Sequence, residues 1–468
     1  MLTGAAAAFT GGVMAKPLPH HLRQTLTLGL PLVGSFLAQI LIGITDTAML
    51  GRYSAEALAA SALAHSTWFS LFILGSGFAF AAMSIASDAE GRGDRTAARR
   101  ATRMAAWLSI GFAVAVYPLF WFAEPLLLAA RQGPDLAADA AGFLRIAAVG
   151  MLPALLTQCL RSHLSALERT RIVLWSTLAA AAFNVVANWL LIFGNLGFPE
   201  LGLNGAALAS IVAHSTATVV LTLYAARGPG MAAHRLFRNP WRPDPEALSR
   251  VARLGWPIGL TGVAETSLFF GAALMMGALG TVPLAAHGIA LQIASASFVI
   301  HLGLSQAATV RVGREAGAGA PTDLRRAAWA AILLSLGVVA LTMAVFLLAG
   351  RDLAALFIDR ADPAAEAILD LAATLVIVAG VFQLVDALQV MALGMLRGLQ
   401  DTRVPMLLAV FSYFGVGIPA SLALGFVVGF GALGIWAGMV IGLAVAAALL
   451  MGRFRRLAPS GGALAAAH

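Results

Sequence analysis

Between Gly255 and Gly280 the sequence reads GWPIGLTGVAETSLFFGAALMMGALG, and Glu265 is its only charged residue. An apolar run of about 18 residues or more is long enough to cross a bilayer as a helix. Runs of this kind recur from one end of the chain to the other. In hydrocarbon every backbone donor and acceptor has to be satisfied within the protein, which leaves helices and closed barrels as the spanning structures. A barrel needs alternating apolar and polar residues, and these runs do not alternate. Only 11% of the residues are charged and 60% are hydrophobic, whereas soluble domains carry about 25% charge. The chain reads as an all-α polytopic membrane protein without a sizeable soluble domain.

Apolar segments fall at 25–50, 58–86, 104–123, 137–160, 172–194, 202–226, 251–277, 284–310, 327–349, 364–396, 404–426 and 431–452. Twelve spans place both ends on one side. Of the 30 Lys and Arg residues, all but Arg52, Arg131, Arg145, Arg351 and Arg360 fall in the tails or in loops on the side of the N-terminus. By the positive-inside rule that side is the cytoplasm. The same distribution accounts for the basic character of the chain without a nucleic-acid partner. Residues 1–24 lack a basic n-region followed by a cleavage site, so they read as a cytoplasmic leader, and 453–468 as a cytoplasmic tail. The single cysteine, Cys159, excludes an intrachain disulfide.

The longest loop on the basic side, 227–250, divides six spans from six. Sliding the second half over the first aligns LGLP at 28–31 with LGWP at 254–257, and Gly91, Gly93, Arg99 and Arg100 with Gly317, Gly319, Arg325 and Arg326. Further on, LERTR at 167–171 meets LQDTR at 399–403. Both halves begin on the same side. The expected architecture is therefore two six-helix lobes, 25–226 and 251–452, related by a pseudo-two-fold axis along the membrane normal, as in transporters that rock two halves about a central cleft.

An ionised side chain at mid-bilayer is costly unless it meets a partner or water. Asp46, Glu265 and Asp386 lie well inside spans. Glu265 aligns with Gln39, Asp46 with Ala272 and Asp386 with Ala154, so the repeat does not demand these acids. Two carboxylates facing one cavity would bind a monovalent cation or share a proton. Gln39 and Asp46 are spaced i, i+7, and Asn184 and Asn188 are spaced i, i+4, so each pair shares a helix face. Together they outline a polar pocket in the first lobe. Pro31 and Pro257 occupy matching places where a helix is able to bend. Phe298, Phe382 and Gln383 are candidate lining residues, since aromatics beside acids suit lipophilic cations. Arg145 is read as the only intramembrane cation. His65, His163, His214, His287 and His301 are scattered and read as structural. No phosphate-binding loop, HExxH or Cys/His cluster is present, so no cofactor and no enzymatic activity is expected, and the energy source is an ion gradient.

These residues resemble the MATE (multidrug and toxic compound extrusion) family, in particular its NorM-like bacterial branch. The resemblance is carried by LPLVGSFLAQILIGITDTAMLGRYSAEALAA, FNVVANWLLIFG, GLNGAALAS, VDALQVMALGMLRGLQDTRVP and Glu265, and covers about 25 to 452. It implies a V-shaped antiporter of the bacterial inner membrane, expected to be monomeric, that exports organic cations and drugs in exchange for protons or sodium ions. It assigns Glu265 and Asp386 to a cation site in the second lobe, Asp46, Asn184 and Asn188 to a polar cluster in the first, and Pro31 to a bend in the first helix. Sodium-coupled relatives present a tyrosine one turn before the span-10 aspartate. This chain has Phe382 there, and Phe298 also lacks a hydroxyl, so the expectation leans towards protons. The alternative reading is a flippase of lipid-linked precursors or polysaccharide units. That activity calls for a basic cavity, whereas the buried charge here reads as mostly acidic.

Overall fold

The computed structural model describes residues 15–358 and 363–458. Arg360 and most of the leader and tail lie outside the described residues. Among the described residues twelve helices are long and apolar enough to cross a membrane. In the first lobe they are α1 Leu18–Tyr53, α2 Ala55–Gly91, α3 Arg95–Trp121, α4 Pro134–Ala166, α5 Thr170–Phe193 and α6 Gly202–Arg227. In the second they are α7 Pro245–Leu279, α8 Thr281–Gly317, α9 Pro321–Ala355, α10 Ala365–Gly398, α11 Arg403–Val427 and α12 Gly431–Leu457. Each overlaps one of the expected spans, and most run several residues beyond it.

Local chemistry sets the breaks. Ser54 ends α1, and its hydroxyl accepts the Ala57 N–H that opens α2, at 2.9 Å. Asp94 caps α3 through the N–H groups of Thr96 and Ala97, and Asp244 caps α7 just ahead of Pro245. Such caps satisfy donors that the first helical turn leaves free. The α7–α8 corner turns at Gly280, whose φ of 128° suits a residue without Cβ. Helix α11 widens into π-helical turns at Phe411–Gly417 and Ala423–Val427. Pro419 lies between them and has no N–H to give to the preceding turn.

The repeat is visible in the helices themselves. α2 and α8 each have 37 residues, and α1 and α7 each carry an internal proline, Pro31 and Pro257. α1 continues as helix through Pro31. Each lobe has its own apolar core, one around Leu144, Met151 and Leu155 and the other around Met391, Trp436 and Leu443.

Among the described residues, the close glycine contacts and the ion pairs between the lobes lie towards one end, the end that carries the basic loops. Here α2 packs on α7 and α8 through small residues. A Cβ on Gly77 would lie 2.7 Å from Gly259 N, and one on Gly255 would lie 2.9 Å from Phe78 Cα. On Gly317 it would lie 2.8 Å from the Asp88 carbonyl carbon. Gly29 and Gly303 serve α1 and α8 in the same way, against Leu304 and Val33. Reciprocal clasps close the seam. Arg100 of α3 holds Asp244 and Glu246 at the start of α7. Arg326 of α9 holds the carbonyls of Ala15 and Lys16 ahead of α1, and Asp323 accepts the Lys16 N–H at 2.8 Å and contacts His21 at 3.2 Å. Glu168 pairs with Arg311 and Arg314 across the lobes, at 3.3 and 2.9 Å.

All these contacts involve the basic halves of α1, α2, α7 and α8. The bundle is closed at its basic face and opens towards the other. Gly259→Val is expected to destabilise the purified protein by about 1–3 kcal/mol, the usual cost of overpacking. Gly111→Val, at a position where a Cβ meets nothing within 4 Å, should leave the thermal melt where it was.

Candidate cation and substrate site

In the first lobe α1 and α5 bring Asp46 and the two asparagines together. Asn188 Nδ2 donates to Asp46 Oδ1 at 2.5 Å and to Asn184 Oδ1 at 3.2 Å. Both asparagines are fully buried. Asn184 Nδ2 and Asn188 Oδ1 have no protein partner, so one donor and one acceptor remain for a ligand or water. Gln39 is exposed and takes no part in this cluster. The i, i+7 spacing aligned it with Asp46 but said nothing of depth: Gln39 lies two turns nearer the seam.

In the second lobe Glu265 lies three residues beyond Gly262, which packs on Ile73 of α2. The carboxylate therefore sits one turn past the end of the seam, where the lobes separate. Gln389 of α10 approaches Glu265 Oε1 through Nε2 at 3.5 Å. Asp386, Gln389 and Arg397 recur on one face of α10 at i, i+3 and i+11. Asp386 is in direct electrostatic range of Glu265, as are Arg397 and Tyr413. Asp386 Oδ1, Gln389 Oε1 and the Tyr413 hydroxyl are all buried with no hydrogen-bond partner. Three unpartnered oxygens beside a carboxylate form a hard-oxygen donor set, the type that suits alkali cations. Buried oxygens without partners are unusual in proteins and call for a ligand, a proton or water.

The remaining candidates fall elsewhere. Gln383 is buried and saturated. Its amide nitrogen reaches Ser297 and the Ala294 carbonyl, and its oxygen accepts from Thr342 at 2.8 Å. It ties α10 to α8 and α9. Phe382 packs edge-on against Phe269 and Trp436, with ring centroids 5.9 and 5.5 Å apart. Phe298 is half-buried against the same core. Pro257 is buried in the seam, where its carbonyl accepts from Thr261 at 2.7 Å.

Two expectations are corrected. Arg145 is not the only cation inside the helices. Arg161 of α4 is buried, donates to Ser35 Oγ at 2.9 Å and lies over the Phe36 ring at 5.7 Å. Arg397 lies over the Phe80 ring at 5.9 Å. Both stand at the basic ends of long spans, and by sequence they are indistinguishable from loop arginines. Arg145 itself pairs with Glu124 at 3.0 Å. Nor is the second-lobe group without an aromatic hydroxyl: Tyr413 supplies one from α11, although Phe382 and Phe298 do not. Its signal was a lone tyrosine in FSYFGVG, a stretch shaped by glycines and a following proline.

Two parallel six-helix lobes, joined at one face and carrying polar groups near mid-membrane, define the architecture of a secondary transporter. The MatE family profile matches residues 31–190 and 257–422, once in each lobe, and the chain belongs to this family of membrane transporters. The probable multidrug resistance protein NorM of Rhizobium meliloti (strain 1021) is 45% identical over 439 residues, 94% of each chain. Its namesake from Agrobacterium fabrum is 43% identical over 95% of this chain and 97% of its own. Among solved structures, the outward-facing conformation of a multidrug resistance MATE family transporter superposes with a TM-score of 0.85 over 94% of this chain and 96% of that one, at 19% identity. The protein is a transporter, not an enzyme.

Asn188→Leu is expected to cost about 1–3 kcal/mol, because it leaves Asp46 and Asn184 without their shared donor. Gln39→Leu should leave the melting temperature unchanged. Thermal unfolding in detergent compares the two.

Proposed function

We propose that this protein is a multidrug antiporter of the bacterial inner membrane. It exports cationic and amphiphilic organic compounds in exchange for protons or sodium ions, by alternating the access of a cleft between its lobes. What carries this reading is the set of unpartnered oxygens of Asp386, Gln389 and Tyr413 beside the Glu265 carboxylate, close beyond the seam. It favours cationic ligands, and so supports export of cations over flipping of phosphate-bearing lipids. The buried arginines do not reverse that preference: Arg161 and Arg397 stand towards the sealed, basic end. The relatives named as multidrug resistance proteins point the same way.

Coupling follows from competition. An ion or proton on the carboxylates neutralises the charge that attracts an organic cation, so both ligands are not held at once. Carboxylate oxygens, the Gln389 carbonyl and the Tyr413 hydroxyl suit sodium, and two neighbouring carboxylates also suit a shared proton. Asp46 is the proton-linked group of the first lobe in this scheme. Asn184 and Asn188 are able to hydrogen-bond either of its forms, and α1 yields near Pro31 as the substrate leaves. The protein works as a monomer, since each chain carries both lobes and the cleft between them.

The test is substrate efflux from proteoliposomes with proton and sodium gradients imposed separately. Glu265→Gln and Asp386→Asn should each fold normally and reduce gradient-driven efflux at least about tenfold, the worth of one charge-assisted contact. Asp46→Asn should bind a cationic dye more weakly and with a flatter pH dependence than the parent. Parental efflux in the Glu265 and Asp386 variants would remove those carboxylates from the mechanism.

Orientation has its own test. In a Cys159→Ala background, a cysteine at Gly133 should react with an impermeant reagent added outside cells, and cysteines at Ala233 and Ala318 should not. The reverse pattern would put both termini outside.

A further inference from the structure

Orienting a chain in a membrane requires only an excess of arginine on one face. It does not require the arginines to converge, and beside α3 they do. Arg99, Arg100, Arg103, Arg238 and Arg242 line one open cleft of about 500 Å³ between the start of α3 and the loop that leads into α7. Asp244 is the one carboxylate in the lining, and it is already engaged. Arg100 grips it through Nε and Nη2 and also reaches Glu246 at 2.9 Å. This contact holds the Asp244 carboxyl below its ordinary range, so it stays ionised and paired.

The other four arginines have no carboxylate partner among the described residues. Arg103 donates from Nη1 only to the carbonyls of Arg238 and Asn239, at 3.2 and 2.9 Å. The Nε atoms of Arg99 and Arg103 are buried and have no partner at all. Arg99, Arg242 and Arg100 all act on Arg103 through their charges, and Asp244 alone opposes them. An anion placed among them would relieve that repulsion and satisfy the free donors.

The level of the cleft in the membrane says what kind of anion reaches it. Arg103, Trp107, Ile110, Val114, Tyr117 and Trp121 recur at spacings of four and three, so they share one face of α3. Beyond Arg103 that face is exposed and apolar, with Val114 69% and Trp121 51% accessible. At about 1.5 Å per residue, Arg103 to Trp121 spans about 27 Å, close to the thickness of a hydrocarbon core. Arg103 therefore stands where acyl chains give way to headgroups. Trp107 donates from Nε1 to the Pro240 carbonyl at 3.1 Å, and Trp241 is exposed beside it. Tryptophan is favoured at this level of a membrane.

We propose that the cleft is a binding site for the phosphate of an anionic phospholipid in the leaflet at the basic face. Its acyl chains lie along the α3 stripe, and its headgroup bridges α3 of the first lobe to the lead-in of α7 of the second. Guanidinium forks match phosphate oxygens in pairs, and basic pockets beside membrane helices take anionic headgroups. A soluble phosphate compound has the same head chemistry but nothing to lie along the stripe.

The test uses the full-length protein, delipidated in neutral detergent, with phosphatidylglycerol, phosphatidylcholine or inorganic phosphate added, and reads retained ligand by native mass spectrometry. The parent should retain phosphatidylglycerol in clear preference to phosphatidylcholine. Arg238→Gln with Arg242→Gln removes two exposed side chains that make no side-chain hydrogen bond, and should reduce that preference roughly fivefold per arginine. Arg99→Gln repeats the test from within α3. Arg171→Gln with Arg227→Gln removes equal charge away from the cleft and should retain the preference. Equal retention of the two lipids by the parent would overturn the proposal. So would an undiminished preference in both cleft variants at a parental melting temperature. Displacement of phosphatidylglycerol by inorganic phosphate would make the site one for a soluble anion instead.

Discussion

Backbone packed against backbone holds the two lobes together at one end. At Gly77, Gly255, Gly259 and Gly317 the helices approach too closely for any side chain to intervene. Small residues are the usual means of such approach within membranes, where lipid is as apolar as the helices and no hydrophobic force drives them together. The rest of the arrangement depends on this seam. It seals the basic half of the bundle and lets the outer halves of α1, α2, α7 and α8 part, and it fixes how deep an open cleft reaches. Glu265 stands one turn past the end of the seam. The clasps of Arg100 and Arg326 are exchanged symmetrically between lobes and add polar closure at the surface.

A seam of this kind is either made or broken. Closely fitted backbones do not slide by fractions of an ångström without losing contact, so packed interfaces tend to have discrete states. A charge change one turn away is well placed to bias the balance between them. On the proposed function, neutralising Glu265 or Asp386 would remove both the attraction for an organic cation and part of the cost of holding charge inside the membrane. Ion binding, substrate release and lobe movement would then share one small group of atoms. The arginine cleft beside α3 sits on the opposite side of the seam, at the joint between α3 and α7, so a lipid held there would add to the closure of the basic face.

Much of this was legible in the sequence because membranes impose simple rules. The spans followed from apolar length, and the repeat from matched Gly, Pro and Arg positions. The three intramembrane acids stood out because each is costly in hydrocarbon. The structure brings Asp46, Asn184 and Asn188 into one hydrogen-bonded group and Glu265 and Asp386 within electrostatic range of each other. What the sequence does not disclose lacks either a rule or a contrast. Tyr413 and Gln389 are polar but uncharged, and their part in the site depends on which helices pack together. Arg161 and Arg397 looked like loop residues because the spans run longer than their apolar cores. Gln39 shares a face with Asp46, but periodicity carries no information about depth relative to the seam. Gln383 sits beside Phe382 in sequence yet is spent on bonds between helices.

The molecule is closed at its basic face and open at the other, and on the proposed function this relation reverses during transport. Two pairs of spin labels on the cysteine-free protein test it, one joining Gln132 to Thr281 at the opposite face and one joining Arg95 to Ala318 at the basic face. Distance measurements on protein in lipid nanodiscs, before and after a pH step with a cationic substrate present, should show the first separation shortening while the second lengthens. If both separations stay fixed in protein that transports normally, lobe rocking about the glycine seam is not the mechanism.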